Sequence, residues 1–329
     1  MKLFTPPFTR TVAAWVMACC GLAGSTIALA QDNYPSRPIK IIVAFGPGGG
    51  SDTLARLLGQ KMAESFKQAI TIENRPGAGG SIGTREVQKA AADGYTLILA
   101  TSSTHSINPW VIKNIGYDAV KDFTSIAVFA STDYALAVPA HSPYKTLAEL
   151  VAEGKTKKID YASSGNGSTS HLAGALLGQM TKTNLVHIPY KSSDTARTDV
   201  LGGQVAFMFD NTAIFLPHAK AGKVRLLATS ALTRSQATKD TPTLHEAGVP
   251  NFEVVGWFAL MGPANIPEPI VKKLNAEVAR IMALPETLER LAALGFDPLP
   301  MGVKESGSYI ADQLGKFKTM VTAAGAQVD

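Results

Sequence analysis

The chain has 329 residues, enough for two domains of ordinary size. Hydrophobic residues make up 46% and charged residues 17%, which excludes a disordered polymer and points to folded, core-bearing structure. The formal charge is only +5, and the one short basic run, Lys155-Thr156-Lys157-Lys158, reads as a solvated turn, so nucleic acid is not an expected partner.

Residues 1–30 read as an export signal. Lys2 and Arg10 form a positive n-region, Thr11 to Leu22 is mostly apolar but too short to span a bilayer, and Ala28-Leu29-Ala30 is a small-x-small cleavage site before Gln31. A second reading is open, because Val16-Met17-Ala18-Cys19 resembles a lipobox and would anchor the chain through Cys19. Cys19 and Cys20 are the only cysteines, so a chain cleaved after Ala30 has no disulfide and depends on its core. The expected compartment is a bacterial periplasm.

From Gln31 the pattern alternates strand and helix. Ile39–Ala44 is a β-branched apolar run without polar alternation, as expected of a parallel strand buried on both faces. It stops at Gly46-Pro47-Gly48-Gly49-Gly50, and Leu54, Leu57, Leu58, Met62 and Phe66 then recur at helical spacing. Glycines allow close backbone approach and positive φ. A helix start supplies unpaired N–H groups and partial positive charge, so this turn predicts an anion site. Ala69–Glu73 is a second strand, Asn74–Gly80 a turn, Ser81–Ala91 a helix and Thr96–Ala100 a third strand. The polar stretch Thr101–Ser106 should share the carboxyl edge of the sheet with the glycine turn, where ligands sit in open α/β sheets.

Ser125–Ala130 and Tyr134–Val138 are apolar segments separated by Ser131-Thr132-Asp133, read as a crossing between domains. Thr146 and Glu149 have capping-box spacing. Ile159–Ala162 is a strand that enters Ser163–Ser170, and a helix carrying Leu172, Leu176, Leu177 and Met180 follows. Further strands are expected at Asn184–Ile188, Val205–Phe209, Val224–Ala228 and Val254–Met261, with helices at Thr195–Leu201, Ile270–Ala283, Glu286–Leu294 and Val303–Ala323. The helical C-terminal block is expected to pack on the first domain. A shift of 119 residues superposes Gly46-Pro47-Gly48 on Gly165-Asn166-Gly167 and Leu57-Leu58-Gly59-Gln60 on Leu176-Leu177-Gly178-Gln179. Two ordinary βα units account for that echo without common ancestry.

Several chemistries can be weighed. Gly46-x-Gly48-x-x-Ser51 lacks the third glycine of a dinucleotide fingerprint, and no Gly-Lys-Ser/Thr makes a P-loop. Gly79-Gly80-Ser81-Ile82-Gly83 matches a nucleophile elbow, but a Pro/Gly loop separates it from its strand; an exported serine hydrolase using Ser81 is the alternative function. His105, His141, His171, His187, His218 and His245 show no metal-ligand spacing, so neither metal nor cofactor is expected. His105 and His171 lie in or beside the polar loops and could donate to an anion or serve as caps. Asp52 either stabilises the first helical turn or holds a water or a ligand ammonium, and Asp210 poses the same choice. Phe45, Tyr190 and Trp257 are core or cleft-wall residues.

Tyr34-Pro35-x-Arg37-Pro38-Ile39, Pro47-Gly48-Gly49-Gly50-Ser51-Asp52 and Glu73-Asn74-Arg75-Pro76-Gly77-Ala78-Gly79-Gly80 carry a family likeness. Asp93–Leu97, Tyr161–Gly167, Ile188-Pro189-Tyr190-Lys191 and Pro242-Thr243-Leu244-x-Glu246-Ala247-Gly248 carry it onward. The chain resembles the Bug family along its whole mature length. These are the substrate-binding proteins of tripartite tricarboxylate transporters (TctC type). The resemblance implies an α/β, type II periplasmic binding protein: two α/β lobes joined by two crossing strands, with a ligand cleft between. Lobe 1 would be 31–131 plus 254–329 and lobe 2 would be 132–253. It implies capture of a small carboxylate for a membrane permease, without catalysis, by a monomer. The carboxylates would be held by backbone N–H groups and hydroxyls of two loops, with waters beside Asp52. Candidate contacts are Phe45, Gly48, Gly49, Gly50, Ser51, Asp52 and Thr53; Thr101, Ser102 and His105; Ser164, Gly165, Asn166, Gly167, Ser168, Thr169 and His171; and Tyr190, Asp210 and Trp257.

Overall fold

The computed structural model describes residues 34–326; the export signal expected at 1–30 lies outside the described residues. Strand β1 (Ile39–Val43) leads into helix α1 (Gly50–Phe66), then β2 (Ile70–Asn74), α2 (Ser81–Gln88) and β3 (Thr96–Thr101). A helical turn from Ser103 to Val111 precedes the long strand β4 (Phe123–Pro139). Next come α3 (Leu147–Gly154), β5 (Ile159–Ser163), α4 (Thr169–Thr181), β6 (Leu185–Pro189), α5 (Ser193–Leu201), β7 (Phe207–Asn211), α6 (Thr212–Lys220) and β8 (Val224–Thr229). The chain ends through β9 (Val255–Pro263), α7 (Glu268–Met282), α8 (Pro285–Leu294), β10 (Asp297–Pro298) and α9 (Val303–Ala324).

Two sheets share β4. In the first, β1 lies parallel between β2 and β3, and β9 runs antiparallel between β3 and β4. In the second, β5 lies parallel between β6 and β7, while β7 and β8 run antiparallel to β4. The change of partner falls inside β4: its residues up to Asp133 pair with β9, and those from Tyr134 onward pair with β7 and β8. β1 buries every side chain but Lys40, as a strand covered on both faces must. Thr146 caps α3 through Glu149 N–H, and Glu149 returns the bond, completing the capping box.

Three expectations need correction. Ser131-Thr132-Asp133 does not break the strand, because Trp257, Gly256 and Val255 pair opposite these residues and keep the ladder continuous. Thr101–Ser106 is no open loop but a buried turn, in which Thr104 Oγ1 donates to Thr101 O (3.1 Å) and Tyr117 Oη donates to Thr104 O (2.6 Å). Helix α6 was not expected; its β-branched start and internal Pro217 hide the helical period, and Phe215 and Leu216 anchor it in the core instead. The C-terminal helix α9 also reaches beyond the first half. Trp110 Nε1 donates to Leu314 O (2.9 Å), while Met320 and Ala324 pack on the cluster holding Tyr161 and Leu177 in the second half.

Gly174 sets the seat of α4. A Cβ there would enter the ring of Tyr161, which is itself stacked between His187 and Phe207 and cannot yield. Gly174→Ala is expected to cost about 1–3 kcal/mol by overpacking. It should also displace the loop between β5 and α4. Urea unfolding checks this, and an unchanged midpoint would refute it.

Candidate ligand-binding site

The turn after β1 is shaped by side chains behind it. Gly48 has φ +77, a region that favours glycine, and Gly49 is the N-cap of α1 with no side-chain cap of its own. Thr53 N–H to Gly49 O (3.0 Å) is the first intrahelical bond, so the N–H groups of Gly50, Ser51 and Asp52 have no intrahelical acceptor. The Asp52 carboxylate turns backwards. It accepts Gly48 N–H (3.1 Å), Arg56 Nε and Nη2 (3.0 and 2.9 Å) and Asn74 Nδ2 (3.0 Å). Asn74 Nδ2 also donates to Phe45 O (3.0 Å), tying β2 to the turn. Burial pushes the Asp52 pKa up, but the bonds from Arg56, Gly48 and Asn74 outweigh it and hold the carboxyl below its ordinary value. These bonds tie the first turn of α1 to the loop before it and to β2, as the helix-start reading of Asp52 requires.

The corresponding turn after β5 is built differently. Ser168 caps α4, accepting His171 N–H (3.2 Å) and donating to Gly165 O (2.6 Å). Ser163 Oγ lies 2.6 Å from His187 Nε2, and the His187 ring stacks on His171 at 4.0 Å between centroids. Gly167 N–H donates to His171 Nδ1 (3.3 Å), so the stacked pair props the turn from below. Burial lowers both pKa values, to about 4 for His171 and, with the neighbouring His171 adding to it, to about 3 for His187.

Between the turns lies a cavity of about 50 Å³. Its wall takes Phe45, Gly46, Gly49, Gly50 and Ser51 from the first turn and Thr101, Ser102 and Ser103 from the carboxyl end of β3. Ser164 and Thr169 come from the second turn, Ser193 from α5, and Asp210 and Asn211 from the end of β7. Tyr134 and Phe258 complete it from β4 and β9. Four helix starts converge here: Gly50, Thr169 and Ser193 open α1, α4 and α5, and Asn211 is the N-cap of α6. No lysine or arginine is among these lining residues. The two halves also touch directly, because Thr169 Oγ1 lies 3.1 Å from Ser102 Oγ and 3.0 Å from Ser103 Oγ, and Thr169 N–H donates to Ser103 Oγ (3.0 Å).

Of the expected contacts, Phe45, Gly49, Gly50, Ser51, Thr101, Ser102, Ser164, Thr169 and Asp210 line the cavity. Gly165, Asn166 and Tyr190 line an adjoining recess, with Phe45 and Ser164 shared by both. Gly48, Asp52, Thr53, Gly167, Ser168 and His171 line neither the cavity nor the recess. His105 and Trp257 do not reach it: both are buried in the core, where His105 packs on Phe123 and Tyr117 and its pKa falls to about 3 by burial. Gly46, Ser103, Tyr134, Ser193, Asn211 and Phe258 were not anticipated. Asn211 and Ser103 adjoin expected residues, whereas Tyr134 and Phe258 come from the crossing strands and carry no local signal.

Asp210 is almost fully buried. Its Oδ1 accepts Asn211 N–H (2.8 Å) and Asn211 Nδ2 (3.3 Å), its Oδ2 accepts the Ser193 hydroxyl, and Arg197 Nη1 stands 3.6 Å behind. Burial raises its pKa, opposed by Ser193, Arg197 and Asn211.

The family described as tripartite tricarboxylate transporter family receptor, TctC, matches residues 54–326. The chain belongs to this family. BugT of Bordetella pertussis is 33% identical over 309 residues, covering 93% of this chain and 95% of BugT. Among solved structures, R. palustris Rpa4515 with adipate superposes with a TM-score of 0.86 at 32% identity, covering 89% of this chain and 98% of that one. MatC from Rhodopseudomonas palustris with bound malate gives 0.83 at 32% identity, covering 88% and 100%. The TctC fold is therefore the two-lobe α/β periplasmic binding protein fold expected of the sequence, and Bug and TctC proteins are its relatives in sequence as well as in shape.

The histidine pair makes TctC-fold stability acid-sensitive. Both imidazoles are neutral when folded, while the unfolded chain takes up protons once pH falls below about 6.5. Stability is then fully present above that pH and lost as it falls towards the folded values, by about 2 kcal/mol from His171 alone at pH 5. Urea unfolding of the native protein between pH 7 and 5 should show the slope, and His171→Gln with His187→Phe should reduce it, leaving the share of His105, whose pKa burial also lowers. A slope unchanged by both substitutions would place the protons elsewhere.

Proposed function

We propose that this chain is a periplasmic solute receptor that captures a small carboxylate between two lobes and delivers it to the membrane permease of a tripartite transporter. The observation that carries the reading is the convergence of helix starts from both halves on one cavity whose wall holds hydroxyls and backbone N–H groups but no basic side chain. Such a wall suits a carboxylate, since partial positive charge and unpaired donors meet there. The relatives with adipate and malate support the same class of ligand. The partner change within β4 supports lobes of 31–131 plus 254–329 and 132–253. Thr169, bonded to Ser102 and Ser103, is then a latch that only the closed arrangement makes. Export through the signal at 1–30 places the receptor in the periplasm, where a monomer serves.

Binding without catalysis is favoured over the hydrolase reading. Ser81 Oγ donates to Ala78 O (2.8 Å) at the start of α2. The Ser163–His187 pair has a fully buried hydroxyl, which no substrate could reach.

Purified protein should bind adipate, malate or a related acid in calorimetry without consuming it, and its melting temperature should rise with ligand. Gly50 supplies the sharper test, because a Cβ there meets the Asn211 side chain at 3.0 Å on the cavity wall. Gly50→Val is expected to weaken binding at least about tenfold by blocking backbone approach, whereas Ser81→Ala should leave it unchanged. Full affinity in the Gly50 variant would refute the placement of the site.

A further inference from the structure

The glycines of the first turn are not equivalent. Gly48 is held at φ +77, which favours glycine, whereas Gly49 has room, since a Cβ there would meet only Gly46 O at 3.9 Å. Gly46 has no such backbone reason. Its φ lies outside the left-handed region, and the residue before Pro47 is biased towards extended backbone, which a side chain tolerates. What excludes a side chain is the other half of the molecule. A Cβ on Gly46 would stand 2.8 Å from Ser192 Cβ, with Asp194 Oδ1 at 3.7 Å. Ser192 is the N-cap of α5. Its Cβ is bonded directly to the backbone, so no rotamer change removes it, unlike the Asn211 amide that faces Gly50. The halves meet at backbone distance a second time, beside the adjoining recess. A Cβ on Gly79 would run into Asn166 O and one on Gly167 into Asn108 Oδ1, while Asn108 Nδ2 donates to Gly79 O (2.8 Å). Gly79 and Gly167 also have positive φ, so their residue type has a backbone reason as well. At Gly46 the approach of the two halves is the reason the structure gives.

We propose that Gly46 and Ser192 form a stop that sets how far the two lobes close, so that a side chain at position 46 holds the cleft ajar and weakens binding without touching the ligand. This rests on the two-lobe receptor reading above and adds to it the contact that limits closure. Gly46 belongs to the lobe of 31–131 and Ser192 to that of 132–253, so opening separates them. The penalty of an added methyl then falls on the closed arrangement alone. The Thr169 bonds to Ser102 and Ser103 form only when the lobes come this close. The same contact carries a term that favours opening. Asp194 Oδ1 is buried there without a hydrogen-bond partner among the described residues, and parting the lobes returns it to water. Gly46 and Ser192 are positioning residues. The Cβ direction of Gly46 runs towards the start of α5, and Ser192 is not on the cavity wall.

Calorimetry with adipate, malate, succinate and glutamate, together with small-angle X-ray scattering of the free and loaded protein, tests the stop. Gly46→Ala is expected to bind at least about tenfold more weakly than the native protein and to contract less when ligand is added. Ser192→Gly removes the Cβ that the new methyl meets and loses no side-chain cap bond. The double variant Gly46→Ala with Ser192→Gly should therefore recover affinity to within about threefold of Ser192→Gly alone, together with the contraction. Ser192→Val crowds the same seam from the second lobe and should also weaken binding, which gives a reading that does not depend on the Gly46 variant folding. A loss in Gly46→Ala that Ser192→Gly leaves uncorrected would put the methyl against the ligand and overturn the stop. Full affinity in Gly46→Ala, or in Ser192→Val where Gly46→Ala does not fold, would overturn it as well, and in each case the receptor reading stands. Native protein that binds none of the four acids and shows no contraction would overturn the receptor reading and the stop together.

Discussion

A backbone N–H at the start of a helix has no acceptor within the helix, and this one deficit organises the molecule. Bringing four such starts to a single cavity creates positive potential without a formal cation. The arrangement demands that the chain approach the cavity closely at Gly49 and Gly50. It also places Asp52 at the third position of α1, where an acid would compete with an anionic ligand for the same helix start. The fold answers by drawing Asp52 backwards into bonds with Gly48 N–H, Arg56 and Asn74. The acid then holds the turn in shape, and its charge is matched on the side away from the cavity.

The second constraint is connectivity. Because β4 serves both sheets without interruption, and β9 returns beside it, the halves are joined by hydrogen-bonded strands and not by a free linker. Relative motion must be absorbed by twist and by the bulges in these strands, which interrupt the β4 register on β9 and on β8. The contacts that close the cavity are hydroxyl bonds between Ser102, Ser103 and Thr169, each worth about 0.5–1.5 kcal/mol net. Bonds of that size make closure easily reversed by themselves. On the function proposed above, a ligand touching both turns would shift the balance by its differential affinity for the closed form.

Much of this was legible before the structure. Ile39–Ala44 announced a doubly buried strand through its apolar run without polar alternation, and Gly46–Gly50 followed by helical spacing announced the anion turn. The Ser163–Ser170 turn was visible for the same reason. What could not be seen was what side chains do across distance in the chain. Asp52 reads alike whether it faces a ligand or Asn74, and only the folded chain brings residues 52 and 74 together. His105 lies in a stretch of hydroxyl residues that looks solvent-facing, yet Thr104 Oγ1 bonds back to Thr101 O and the Ser102 and Ser103 hydroxyls bond to Thr169, which allows burial. Trp257 could have served cleft or core equally, and the alternation along β9 turned it inward while its neighbour Phe258 reached the cavity.

The placement of Arg197 keeps a formal cation off the cavity wall. A guanidinium on the wall would bind any anion strongly and would do so bidentately, with little regard to the rest of the ligand. Here the guanidinium stands behind Asp210, so that the two charges offset one another at the cavity's edge. The field inside is then set by helix starts and by individual donors and acceptors, which are directional in a way that a net charge is not. For the carboxylate receptor proposed above, selection among acids of the same charge would be a matter of matching donors to acceptors, and release would require breaking many modest bonds instead of one strong ion pair. For a receptor that must give up what it binds, distributing the attraction in this way keeps capture and release both accessible.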